Sequence, residues 1–156
     1  MLEWQKSDGK TAVVDIDPKK LPGVVIDDAQ ATLTGKWSPN DHSHPFVGAG
    51  YHHDNNTKKG QLSARFEARL PTAGRYEVRL AYTPNPNRAT NIPVTIHHAA
   101  GDTTLTLNQQ TQPPIDNLWT SLGTFDFTPN EPATVTISNK DTNGHVILDA
   151  VQFLPK

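Results

Sequence analysis

The stretch "LSARFEARLPTAGRYEVRLAY" at residues 62–82 decides how this chain folds. Leu62, Ala64, Phe66, Ala68 and Leu70 alternate with Ser63, Arg65, Glu67 and Arg69; after a break, Tyr76, Val78, Leu80 and Tyr82 resume the alternation. A period of two sends successive side chains to opposite faces of an extended strand, so each run has one apolar and one polar face. "PTAG" at 71–74 supplies turn-forming residues, and the spacing predicts a hairpin between the two strands.

The same signal extends in both directions. Segments 24–28, 33–37, 92–98, 103–108, 119–127, 133–138 and 146–154 read as strands, divided by polar turns among 13 prolines and 10 glycines. About nine short antiparallel strands and no helical period predict an all-β chain, an antiparallel β-sandwich of jelly-roll type. Residues 1–21 do not alternate and read as a linker or the tail of a preceding unit, leaving 22–156 as one sandwich domain. A chain of 156 residues suits one core rather than two.

Bulk properties exclude several classes. A formal net charge of -2 gives no electrostatic footprint for nucleic acid. No apolar run approaches the roughly 20 residues of a membrane span. The opening "MLEWQKSDGK" lacks the apolar centre of a signal peptide, which suits a cytosolic chain or a piece of a longer one. With no cysteine, disulfides, thiolate catalysis and sulfur-ligated zinc are absent together.

Carboxylates offer the first candidate chemistry. "VVIDDAQ" holds Asp27 and Asp28 on the first strand, and "VILDAVQF" holds Asp149 on the last. By parity Asp149 shares the core face with Ile147, Val151 and Phe153, where an uncompensated carboxylate is costly. A hard cation such as calcium, held by Asp28 and Asp149, would compensate it; so would backbone amides, or a bulge that turns Asp149 outward. Seven histidines are present, but "HSH" at 42–44 has no second cluster to complete a metal set, and it reads as loop sequence. Nucleophile elbows, phosphate loops and "HExxH" are missing, so the chain reads as non-catalytic; the alternative, a small polysaccharide lyase or hydrolase, would have to draw on Tyr51, His52 and Arg88.

What remains is a recognition surface. "GAGYHHDNNTKKG" at 48–60 reads as a long polar loop presenting Tyr51, His52, Asp54 and Asn55. "YTPNPNRATNIPVTIHH" at 82–98 adds Asn85, Asn87, Arg88 and Asn91, and Trp37 is a candidate stacking platform, whereas Trp119 suits the core. Forked amide, carboxylate and guanidinium groups match paired sugar hydroxyls or acid groups, and aromatic faces match the apolar side of a sugar ring.

"VVIDDAQATLTGKW", "FVGAGYHHD", "NRATNIPVTIHH", "SLGTFDF", "VTISN" and "GHVILDAVQFLP", in that order, resemble the golvesin and xanthan-lyase carbohydrate-binding-like domain over about residues 22–156. The resemblance implies a non-catalytic β-sandwich at the end of larger bacterial proteins, polysaccharide lyases and oxidoreductase-like proteins among them. Such parents are often exported, which implies an extracellular or periplasmic setting. The implied partners are a polysaccharide and the parent's catalytic domain; the alternative is a module that only packs on that domain. Carried onto this chain, the motifs give Asn87, Arg88 and Asn91, and Tyr51, His53 and Asp54; the family more often has leucine at His52. Arg88 is the expected ligand contact, and Asn91 the expected brace. The two ends of the domain also resemble sandwiches that hold structural calcium, although those offer glutamates where Asp27, Asp28 and Gln30 stand here.

Overall fold

The computed structural model describes residues 15–156. Twelve strands follow in order: β1 (Val24–Asp27), β2 (Thr32–Thr34), β3 (Ser38–Asn40), β4 (Tyr51–His53), β5 (Ser63–Ala68), β6 (Gly74–Ala81), β7 (Ile92–His98), β8 (Gly101–Leu107), β9 (Trp119–Phe127), β10 (Ala133–Ser138), β11 (Ile147–Leu148) and β12 (Ala150–Pro155). They form a four-stranded sheet, β1-β12-β6-β9, a five-stranded sheet, β2-β5-β10-β7-β8, and a three-stranded sheet, β11-β4-β3. All ladders between these strands are antiparallel. The β-sandwich expected from the alternation is the architecture, with three more strands than the nine expected.

The hairpin expected at 62–82 does not form. β5 pairs with β2 and β10, while β6 pairs with β9 and β12 in the opposite sheet. Leu62, Ala64, Phe66, Ala68 and Leu70 are all buried, so the apolar face runs on past the last paired residue of β5. The chain then crosses the core, and Tyr76, Val78 and Leu80 face that row from the other side. The two runs meet face to face across the core, each removing the other's apolar stripe from water at roughly 1.5–3 kcal/mol per large side chain. The Tyr76 hydroxyl donates to the Thr72 carbonyl at 2.8 Å and fixes the crossing.

Two short strands, β3 and β4, lie where polar loop was expected, because Pro39, Asn40, His52 and His53 show no apolar alternation. The last predicted strand, 146–154, breaks at Asp149: β11 joins β4, and β12 joins β1 and β6. Trp119 is buried as expected, but on the outer side of the four-stranded sheet. The β6–β9 register shifts between Val78 and Arg79, with Leu122 as the extra residue, and this reverses the parity of Trp119 relative to Phe125 and Phe127. Trp119 therefore joins Val47, Ala81, Leu118 and Ala150 in a second cluster.

Ile16 and Leu21 pack on that cluster. The Asp15 amide donates to the Gly48 carbonyl (3.2 Å) and the Gly48 amide to the Ile16 carbonyl (2.8 Å). Of the segment expected as a linker, residues 1–14 lie outside the described residues, and 15–21 lie on the sandwich.

Candidate functional site

Three carboxylates meet where the first and last strands end. β1 ends on Asp27, the 3-10 turn Asp28–Gln30 that follows supplies Asp28, and the β11–β12 break supplies Asp149, so that one oxygen of each lies within 4.8 Å of the others. Asp149 is fully buried, and both its oxygens accept the Val47 amide at 3.1 Å. The outward turn of Asp149 raised as an alternative is thereby removed, and the backbone amide is present. Asp28 lies 2.7 Å from Nδ1 of His52. Asp27 is 8% exposed, and its Oδ1 has no hydrogen-bond partner. A Cβ on Gly48 would come within 2.7 Å of that carboxylate, so only glycine lets the chain pass so close.

Burial raises all three carboxyls above their ordinary range. Asp28 is pushed up to about 9, first by desolvation and then by the charge of Asp27. Asp149 is raised by burial against the opposing effect of the Val47 amide, and Asp27 by burial. Burial also lowers His52. Burial thus disfavours the charged form of both partners in the Asp28–His52 contact. Three negative charges cannot coexist here uncompensated; protons or a cation must balance them. The donor set is all oxygen, with one carboxylate oxygen unpartnered, which fits a hard divalent cation.

A cleft of about 350 Å³ opens beside Asp27 and Asp28, walled by residues 27–29, 39–41 and 49–52. Its rim carries Asn40, Asp41 and His52. Asn40 and Asp41 were not singled out by the sequence, because "WSPNDH" shows only turn-forming composition.

The motif residues carried over by resemblance converge elsewhere, around the 139–146 segment. The Ala89 amide donates to the His145 carbonyl and the His145 amide to the Asn87 carbonyl, at 2.8 and 2.9 Å. The rings of His53 and His145 lie edge to face at 5.8 Å. Asp54, expected on a presenting loop, is fully buried. It accepts from the Val146 amide (3.0 Å), Nδ2 of Asn139 (3.1 Å) and Nζ of Lys59 (2.8 Å). Burial alone would raise Asp54, but the hydrogen bonds, that of Lys59 foremost, hold it below its ordinary value. Arg88 is 6% exposed. Its Nε donates to the Thr83 carbonyl (2.9 Å), one terminal nitrogen to the Thr83 hydroxyl (2.9 Å), and the other to Oδ1 of Asn87 (2.7 Å).

These placements correct the expected recognition surface. Tyr51 is buried, and its hydroxyl accepts the Ser43 amide at 3.2 Å. Trp37 is buried apart from this corner, with Nε1 shared between the Thr34 and Ser63 carbonyls. Asn91 is exposed and braces the 139–146 segment through the Asp141 carbonyl and the Asn143 amide. Of Trp37, Tyr51, His53, Asp54, Asn87, Arg88 and Asn91, three keep access to water: His53, Asn87 and Asn91.

Residues 24–155 match the Golvesin C-terminal domain family. A xanthan lyase of Bacillus sp. (strain GL1) is 34% identical over 157 residues, covering 97% of this chain and 17% of that protein. The chain thus spans about a sixth of its relative's length. The structure of Paenibacillus xanthan lyase superposes with a TM-score of 0.80 at 35% identity, covering 85% of this chain and 13% of that one. A Paenibacillus sp. cycloisomaltooligosaccharide glucanotransferase, complexed with cycloisomaltoheptaose, superposes with a TM-score of 0.62 at 16% identity, over 89% of this chain and 19% of that one; it shares the fold.

Proposed function

The chain belongs to the Golvesin C-terminal domain family, and we propose that it serves as a non-catalytic carbohydrate-binding module of a larger polysaccharide-acting protein. The observation that carries this reading is the match to a xanthan lyase across 97% of this chain but only 17% of that protein. A unit of that size, repeated as a small part of a much larger enzyme, suits an accessory role that holds the enzyme on its polymer, outside the cell. The cleft at residues 27–29, 39–41 and 49–52 supplies a place for the sugar. Its carboxylates, the Asn40 amide and the His52 ring accept and donate to hydroxyls at the rim. No helix among the described residues is long and apolar enough to cross a membrane.

Calcium at Asp27, Asp28 and Asp149 belongs to the same reading. The ion would neutralise the buried carboxylates and occupy the unpartnered oxygen of Asp27, as a structural cation behind the cleft wall.

The test is a glycan array, with xanthan added, on the isolated chain, followed by calorimetry on the best ligands. Binding is expected, with no product released from any polymer. Asn40→Ala is expected to weaken binding roughly tenfold without moving the melting temperature. Failure to bind any glycan overturns the proposal, and so does turnover of one.

A further inference from the structure

A second concavity lies far from the acidic cleft, at the opposite end of the sandwich. β6 begins at Gly74 and β9 ends at Phe127 in this region, and the turn between β7 and β8 closes over it. The cleft holds about 320 Å³, with Phe125 and His98 on its floor and Arg75, Thr124 and Asp126 at its edge. The Phe125 and His98 rings lie 4.7 Å apart and tilted by 34°. His98 is held by Nε2 against the Thr103 hydroxyl at 2.8 Å. Gly123 lies under Phe125, where a Cβ would stand 3.2 Å from the ring. The Phe125 ring is therefore held between Gly123 and His98, and the floor is this stacked pair with the imidazole as its outer face.

The edge differs in kind. Nη1 of Arg75 lies 3.3 Å from Oδ1 of Asp126, and the two side chains are 59% and 62% exposed. Among the described residues neither side chain makes another hydrogen bond, so most of the guanidinium fork and one carboxylate oxygen face water. A donor fork beside an acceptor is the arrangement that reads two adjacent hydroxyls, and the aromatic floor suits the C–H face of a ring. The pair carries no net charge, which favours an uncharged ligand over an anion or a cation.

We infer that the cleft formed by Phe125, His98, Arg75 and Asp126 is a second sugar subsite, taking one uncharged hexopyranose of a polysaccharide. This rests on the carbohydrate reading and deepens it. With subsites at both ends of the sandwich, one domain engages a polymer at two points, and linked sites bind more tightly than either alone.

Amide shifts of the isotope-labelled chain, titrated with short neutral gluco-oligosaccharides, test the inference. Residues 99–100 and 124–126 are expected to shift, with a saturation curve separate from that of residues 39–52. Arg75→Ala is expected to weaken the first curve roughly tenfold and leave the second and the melting temperature unchanged. Phe125→Leu keeps the bulk and loses the flat face; should it fail to fold, Asp126→Ala carries the same expectation as Arg75→Ala. Shifts confined to residues 27–29 and 39–52 overturn the second subsite and leave the carbohydrate reading standing. Shifts nowhere overturn both.

Discussion

Arg88 brings a positive charge into a place that water hardly reaches, and the surrounding loop is shaped to receive it. Thr83, five residues earlier, offers both its carbonyl and its hydroxyl to the guanidinium, and Asn87 takes a third hydrogen bond. Removing the side chain leaves the buried Thr83 acceptors unsatisfied, which costs about 2 kcal/mol. Arg88→Ala is therefore expected to lower the melting temperature by roughly 5 °C, while the fraction that folds binds glycan as before. Intact stability with lost binding, measured by calorimetry on the same sample, would return Arg88 to the ligand. The sequence could not separate these roles. An arginine among asparagines looks the same whether its fork points outward to a sugar or back to its own loop, and periodicity says nothing about a contact that closes within a loop. Asp54 was hidden too, since Lys59 reaches it from its own loop and Asn139 and Val146 from one distant segment.

At the scale of elements, strand identity was legible and strand partnership was not. Alternation over 62–70 and 76–82 marks two half-buried strands, but the same pattern serves a hairpin and a crossing between sheets; only the buried Leu70 decides. β3 and β4 carry no alternation because each is only three residues long, in a small third sheet with β4 at its centre and β3 at its edge. Of the segment before β1, residues 15–21 lie on the sandwich. A short 3-10 turn over Pro18–Lys20, capped by the Asp17 side chain through the Lys19 amide, folds it back, and Ile16 and Leu21 land on the second apolar cluster. Each is partly buried, so their loss exposes about 1 kcal/mol of apolar surface apiece. The double change Ile16→Ala, Leu21→Ala is expected to lower the melting temperature by about 5 °C and to speed amide exchange at Val47 and Gly48. A melting temperature equal to that of the parent chain would make this segment a bystander.

The whole molecule is closed where its first and last strands meet. β1 and β12 pair over Val24–Asp27, and the three carboxylates gather at the last pair, Asp27 with Ala150, with Asp28 and Asp149 each one residue outside it. A cation there would bind only the folded chain, and at a hundredfold excess over its dissociation constant such a ligand adds about 2.7 kcal/mol. Chelation by EDTA is expected to lower the melting temperature by roughly 5 °C or more, added calcium to restore it, and Asp149→Asn to abolish the response. A melting curve indifferent to both EDTA and calcium would leave protons as the balancing charge. The carboxylates were legible because they sit at the two ends of an alternating pattern; their neighbour His52 was visible as a polar loop residue and a departure from the family motif, not as a partner of Asp28. The fold-back of residues 15–21 has a mechanical consequence. If tension entered the chain at Val24 and left at Lys156, both points would lie at one end of the β1–β12 ladder, and the bonds would open singly, as a zipper does. The clip between residues 15–16 and Gly48 moves the point of entry to the far end of that ladder. The load then runs along the strands and is shared across the ladder for as long as the clip holds.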